Sequence, residues 1–240
     1  MKKTALLTGA TSGIGRATAS EFAKLGINLL WCGSRHERLD TIKKALGRQT
    51  EVEILNFDVR DKQAVFKAIE SLPDNFKKID ILINNAGNAH GLDPIQDGNL
   101  DDWDAMMDIN VKGLLYVSKA VIPFMTEQNS GHIINIGSSA GKEVYPKGNV
   151  YCASKHAVIA ITDGMRIDLN PFGIKVTAIN PGLVETEFSQ VRFKGDKIAD
   201  TVYKGYNCLL YTSDAADEHR DVLWWVGGGG VNKGGGGGGG

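Results

Sequence analysis

The chain carries almost no surplus charge: 27 lysines and arginines face 28 aspartates and glutamates, a formal net of -1 over 240 residues. Nucleic acids and anionic membranes are held through a concentrated positive field, so this balance gives no bulk reason to expect either, and a small molecule is the expected partner. Long apolar runs are missing as well. No uninterrupted stretch nears the roughly 20 residues that cross a bilayer. The opening MKKTALLTGATSG has two lysines, but its apolar run stops after Ala5, Leu6 and Leu7, which reads as a first strand and not as a secretory signal. Cysteine is scarce, and Cys32, Cys152 and Cys208 are odd in number and scattered; a reducing cytoplasm is expected. The five histidines (His36, His90, His132, His156, His219) show no zinc-site spacing, so no metal is expected.

What is present is an alternation of periods. The apolar runs TALLT, INLLWC, EVEILNF, DILINN, HIINIG and KVTAIN read as buried strands of a parallel sheet. Between them GRATASEFAKLG, DKQAVFKAIESL, LDDWDAMMDINVKGLLYVSKAVIPFM and YCASKHAVIAITDGMRIDLNPFG read as helices, the last closing on Asn-Pro and a glycine. Strand and helix in strict turn predict a single α/β domain, a Rossmann-type doubly wound parallel sheet with helices on both faces, over residues 1–209. Residues 210–240 break the pattern: 11 of the 30 glycines fall in the last 14 residues, which opposes regular structure on entropic grounds. The stretch CLLYTSDAADE also resembles translated sequencing-adapter sequence, so the segment is expected to be partly non-native.

TGATSGIGRATA places Gly9, Gly13 and Gly15, with Thr11, Ser12 and Ile14 among them, between the first strand and a helix. A backbone that turns sharply and approaches a pyrophosphate needs positions without side chains, and the helix behind it offers free N–H groups and a favourable dipole. In that context the spacing predicts a dinucleotide cradle. At the end of the second strand, where an acid would accept bonds from a ribose 2'-hydroxyl, WCGSRHERL has Ser34 and Arg35. A guanidinium pairs with a 2'-phosphate that a carboxylate would repel, so NADP is expected over NAD. Arg35→Asp is expected to raise the Michaelis constant for NADP far more than that for NAD; parallel steady-state titrations check this, and equal effects refute it.

NVYCASKHAV sets Tyr151 and Lys155 four residues apart on one helical face. A phenol with an ordinary pKa of about 10 serves as acid or base near neutrality only if that value is lowered, and an ammonium one turn away is expected to do so. Ser138, at the end of HIINIG, is a neutral hydroxyl suited to a substrate oxygen that changes between carbonyl and alkoxide, with Ser139 as the competing candidate. Asn110, in MMDINVKG, is a polar residue inside an amphipathic helix, where it either serves the site or satisfies backbone groups.

TGATSGIG, NNAG (84–87), Asn110, Ser138, YCASK and NPG (180–182) resemble, in order, the motif set of the short-chain dehydrogenase/reductase family over about residues 4–207. The resemblance implies hydride transfer between a nicotinamide and a carbonyl/alcohol pair. It gives Tyr151 the proton, Lys155 the tuning of Tyr151 and the nicotinamide ribose, Ser138 the substrate, and Asn110 a water relay to Lys155. By the same resemblance Asp58 and Val59 meet the adenine, and Asn85, Ala86 and Gly87 line the cofactor cleft. Pro181, Gly182, Val184 and Thr186 hold the nicotinamide, and the assembly is a homotetramer.

Substrate choice is expected in residues 183–207, beyond the last strand. PGLVETEFSQVRFKGD mixes Leu183, Phe188 and Phe193 with Arg192 and Lys194, which suits a small substrate with an anionic end. The segment resembles the NADP-dependent 3-hydroxy acid dehydrogenase subgroup, which oxidises serine, allo-threonine and related acids, and Arg192 is the candidate carboxylate anchor. Two alternatives stand beside this: a reductase of another ketone or a 3-oxoacyl thioester, and a non-catalytic NADP-binding sensor.

Overall fold

The computed structural model describes residues 2–33, 39, 43, 44, 46–184 and 186–194. Ser34, Arg35, the end of the substrate segment (195–207) and residues 210–240 lie outside the described residues.

Six strands, β1 (Thr4–Thr8), β2 (Asn28–Gly33), β3 (Val52–Asn56), β4 (Ile81–Asn84), β5 (Gly131–Ile136) and β6 (Ile174–Ile179), form one sheet in the order β3-β2-β1-β4-β5-β6. Every pairing is parallel. These are the six apolar runs of the sequence. They hold a sheet because successive side chains leave on opposite faces and both faces are covered. From β1, Leu6 joins one apolar layer with Leu30, Leu82, Val117, Val121 and Ile133. Its neighbours Ala5 and Leu7 join the other, with Ala19, Ala23, Leu29 and Trp31.

The helices are α1 (Gly13–Lys24), α2 (Lys62–Glu70), α3 (Leu100–Met107), α4 (Leu114–Glu127), α5 (Asn149–Leu169) and α6 (Phe188–Arg192). Local chemistry sets their ends. Asp61 caps α2 by accepting from the Ala64 N–H at 3.0 Å. Beyond α5 a 3-10 turn over Asn170–Phe172 closes on Gly173 at φ +66°, a left-handed stop suited to glycine. The long helix expected over 100–125 is two helices: Asp108–Gly113 between α3 and α4 is a π-turn, and Asn110 lies in it. Such widened turns concentrate at functional sites.

Strand order reverses between β1 and β4, since their other neighbours, β2 and β5, lead to opposite edges. Such a reversal opens a crevice beyond the carboxyl ends of the strands, where ligands of this architecture bind. No helix among the described residues is long and apolar enough to cross a membrane.

Candidate active site

The crevice is built by β1 and β4 ending against each other. The Thr8 hydroxyl accepts from the N–H groups of Asn85 (3.1 Å) and Ala86 (3.0 Å). The Asn85 side-chain amide donates to the carbonyls of Thr8 and Gly9, each at 3.0 Å. NNAG therefore ends its strand and pins the glycine loop in one step. Gly9 has φ +63°, and a Cβ there would stand 2.7 Å from the Ala86 Cα, so both its conformation and its surroundings require glycine. Behind the loop α1 begins at Gly13 with no acidic residue in its first turn, leaving the positive end of its dipole to an anion. Beyond β6, Thr186, which follows Pro181, Gly182 and Val184 in the chain, comes within 3.6 Å of the point a Gly13 Cβ would occupy and so meets the glycine loop. Asp58 lies beyond β3 with its carboxylate gripped by Arg60 (Nη2 to Oδ2, 2.6 Å). That hydrogen bond holds its pKa below the usual carboxylate range against the opposing effect of burial. Val59 is buried beside it.

The candidate reacting groups come from α5, the loop after β5 and the π-turn. Tyr151 and Lys155 are 8% and 6% exposed, on one face of α5 because four residues advance a helix by about one turn. The Lys155 Nζ donates to the Ile136 carbonyl at 3.0 Å and lies 5.9 Å from the centre of the Tyr151 ring. A Cβ on Gly87 would meet the Asn110 Oδ1 at 3.1 Å and this Nζ at 3.5 Å. Gly87 thus leaves open the notch where the motif lysine, the π-turn and the end of β4 converge, and the space fits a cofactor's ribose. Asn110 is 2% exposed and its amide is fully engaged. Oδ1 accepts from the Asn88 N–H (2.8 Å), and Nδ2 donates to the Asn88 carbonyl (2.9 Å) and to the Ser154 hydroxyl (3.0 Å). It braces the β4 loop against α5, which is the backbone-satisfying role of the two considered for it.

Ser138 lies in extended backbone after β5 and its hydroxyl accepts from the Ala140 N–H at 3.2 Å. Its side chain also hydrogen-bonds the Tyr151 phenol. Ser139 is exposed, and its N–H is spent on the Pro181 carbonyl at 2.9 Å. Of the two serines, Ser138 is the one at the phenol.

The electrostatics correct one expectation. In the protein itself burial pushes the Tyr151 phenol up to about 12; the Ser138 hydrogen bond and the Arg192 charge oppose this, while the Tyr145 phenol adds to it. Burial likewise drives Lys155 down to about 8. Lys155 alone does not bring the phenol below its ordinary value. Desolvation disfavours both charged forms, and at 5.9 Å from the ring the ammonium is too far to reverse this.

The other side of Tyr151 is covered by α6. Phe188 packs on Tyr151 with ring centroids 5.9 Å apart. The Arg192 guanidinium lies 5.6 Å from the ring centres of both Tyr145 and Tyr151 and 5.8 Å from that of Phe193. Its Nε donates to the Gly91 carbonyl at 3.1 Å, and the Gly91 N–H returns a bond to the Arg192 carbonyl at 3.2 Å. Lys194 pairs with Asp102 at 2.9 Å. His90, Tyr145 and Ser154 belong to this site although the sequence did not single them out. Ser154 had a signal in lying within YCASK itself; His90 and Tyr145 sit in loops whose course only the packing of α6 fixes.

A doubly wound parallel sheet with a glycine loop at its switch point, and a serine, tyrosine and lysine gathered beside it, defines a nicotinamide-dependent oxidoreductase. The chain belongs to the short chain dehydrogenase family, which matches residues 3–197. It is 47% identical over 192 residues to the NADP-dependent 3-hydroxy acid dehydrogenase YdfG of Salmonella typhi, covering 80% of this chain and 77% of that protein. It is 44% identical over 206 residues to sulfoacetaldehyde reductase 2 of Chromohalobacter salexigens, covering 85% and 82%. Its structure resembles the closed form of a serine dehydrogenase complexed with NADP+, with a TM-score of 0.83 at 44% identity over 87% of this chain and 84% of that one.

Proposed function

We propose that this chain is an NADP-dependent dehydrogenase of small 3-hydroxy acids of the serine, allo-threonine and 3-hydroxypropanoate type, interconverting the C3 alcohol and its carbonyl. The observation that carries the substrate class is the Arg192 guanidinium standing over the Tyr151 ring, 5.6 Å from its centre, which puts a cation suited to a carboxylate beside the phenol. The names of the two enzymatic relatives point the same way, since a hydroxy acid and a sulfonate-bearing aldehyde each join one reacting carbon to an anionic end.

NADP, when bound, supplies the hydride acceptor for the alcohol and the hydride donor for the carbonyl. The glycine loop and the start of α1 bind its phosphates, Asn85, Ala86 and Gly87 line its cleft, and Pro181 to Thr186 cover it. Ser34 and Arg35 are assigned to the 2'-phosphate by their sequence position, and Asp58 and Val59 to the adenine. Tyr151 takes the hydroxyl proton as the C3 hydride departs, and returns it to the carbonyl oxygen in the reverse reaction. Ser138 orients that oxygen. Lys155 contributes positive charge beneath the phenol, and Asn110 holds the loop that shapes the notch around it. α6 excludes water, which strengthens each of these interactions.

No helix among the described residues is long and apolar enough to cross a membrane, and Cys32 and Cys152 are buried free thiols. Together with the family resemblance this supports a cytoplasmic enzyme working as a homo-oligomer, a tetramer, on a free metabolite.

NADPH formation is expected from NADP with L-serine, L-allo-threonine and 3-hydroxypropanoate, with NAD as control. Reduction of uncharged ketones with no turnover of these acids would overturn the assignment. Arg192→Ala is expected to raise the Michaelis constant for the hydroxy acid by about 10-fold to 100-fold, the value of a charge-assisted hydrogen bond, with the NADP constant within about 2-fold. An unchanged hydroxy-acid constant removes Arg192 as the anchor.

A further inference from the structure

The wall that carries Arg192 holds a second polar side chain, His90, one of whose ring nitrogens is buried without a hydrogen-bond partner among the described residues. His90 precedes Gly91, the residue that grips Arg192 through both its carbonyl and its N–H. His90 lines one pocket with Tyr151, Arg192, Trp103 and Asp102. Its Nε2 faces the Asn88 amide nitrogen at 2.8 Å, and Asn88 is itself fixed by the Asn110 brace. The imidazole therefore has a set orientation. Among the described residues, its buried Nδ1 has no hydrogen-bond partner, and neither has the buried Asn88 Oδ1. Reversing the Asn88 amide and the imidazole tautomer exchanges donor for acceptor but leaves Nδ1 and one amide atom unpaired all the same. Burial lowers the His90 pKa, and the Asp102 carboxylate, which opposes this, is answered by Lys194 and Arg60; the ring is neutral at physiological pH.

Buried polar groups are nearly always paired, and leaving one unpaired is costly. With α6 lying across the pocket, tied by Arg192 to Gly91 and by Lys194 to Asp102, that cost is borne unless something inside satisfies His90. Resting on the hydroxy-acid reading, with Tyr151 at the C3 oxygen and Arg192 at the carboxylate, the carbon left between them is C2. We propose that His90 is a specificity residue that hydrogen-bonds a polar C2 substituent, so that the pocket favours 2-amino-3-hydroxy or 2,3-dihydroxy acids over those with an unsubstituted C2. A site with a buried group waiting for a hydrogen bond discriminates strongly against an analogue that lacks it.

The test compares kcat/KM for L-serine with that for 3-hydroxypropanoate in the wild type, His90→Leu and His90→Gln, with NADPH binding followed by fluorescence as the check on folding. In the wild type the serine to 3-hydroxypropanoate ratio is expected above 1. His90→Leu is expected to lower it about tenfold or more, because serine loses its partner while the unsubstituted acid is relieved of an unpaired imidazole. His90→Gln, which keeps a donor and an acceptor, is expected to hold the ratio nearer the wild-type value. A His90→Leu ratio within about twofold of the wild type, in a protein that turns over both acids and binds NADPH, overturns the role of His90 alone. Should His90→Leu fail to bind NADPH, a His90→Gln ratio no nearer the wild type than that of a Leu92→Ala control overturns it equally. A wild type inert to both acids overturns the hydroxy-acid reading and this inference together.

Discussion

Tyr151→Phe is expected to lower kcat by at least about 100-fold to 10,000-fold, the usual contribution of a positioned acid or base, with NADPH affinity within about threefold of the wild type. The substitution removes one oxygen from a ring that keeps its packing against Phe188, so the loss reports the proton and not the fold. Burial raises this phenol to about 12, and the ring therefore carries its proton across the neutral range. Reduction of the carbonyl finds the acid ready. Oxidation needs the ionised form, whose fraction grows about tenfold for each pH unit below the pKa, so its kcat/KM is expected to climb through neutral pH while that for reduction does not. Initial rates in both directions from pH 6 to about 9 check this. Substantial turnover in Tyr151→Phe, or an oxidation rate flat with pH in the wild type, would remove Tyr151 as the proton carrier.

Lys155→Met is expected to cut turnover by a similar factor while making the cofactor-free protein more stable. The ammonium is buried at 6% exposure and held at about 8 against an ordinary 10.5. At pH 7 the folded chain thus carries a charge that desolvation disfavours. Methionine keeps much of the side chain's length and removes that penalty, at the loss of the hydrogen bond to the Ile136 carbonyl. From about 1.4 kcal/mol per pKa unit, less about 1 kcal/mol for the bond, the expected gain is roughly 2 kcal/mol.

The sign of the pH dependence follows from proton counts. Below about 8 both folded and unfolded chains hold the lysine proton. Between about 8 and 10.5 only the unfolded chain holds it, so its stability deficit shrinks as pH rises through that window. The wild type is expected to gain on Lys155→Met over that interval in paired urea melts. A variant less stable than the wild type at pH 7 would show that the ammonium is not under this strain. A stabilised, inactive variant would show that the fold tolerates an unfavourable buried charge for the sake of the site.

The site was legible where chemistry and chain spacing coincide. Tyr151 and Lys155 share a face because four residues make about one helical turn, and the glycine loop is dictated by the strand before it and the helix after it. Asn85 was legible as part of NNAG, but its two bonds to the carbonyls of Thr8 and Gly9 cross 77 and 76 residues of chain. The helix expected over 100–125 was misread at Asp108–Gly113, because a π-turn preserves the helical hydrophobic pattern on either side of it and changes only the hydrogen-bond ladder.

By itself the sequence determined the order of strands and helices, the parallel sheet, the glycine loop between β1 and α1, and the pairing of Tyr151 with Lys155 on one helical face. All of these follow from local periodicity and from residues near one another in the chain. Tertiary structure alone decided the protonation balance and the substrate wall. Tyr151 and Lys155 are shifted by how deeply they are buried, which no i, i+4 spacing reports. His90 lines a pocket with Arg192 because α6 returns across the mouth of the sheet, joining Gly91 to a residue 101 positions away. Long-range packing sets desolvation and the closing of a pocket, and neither is carried by the periodicity of any one segment.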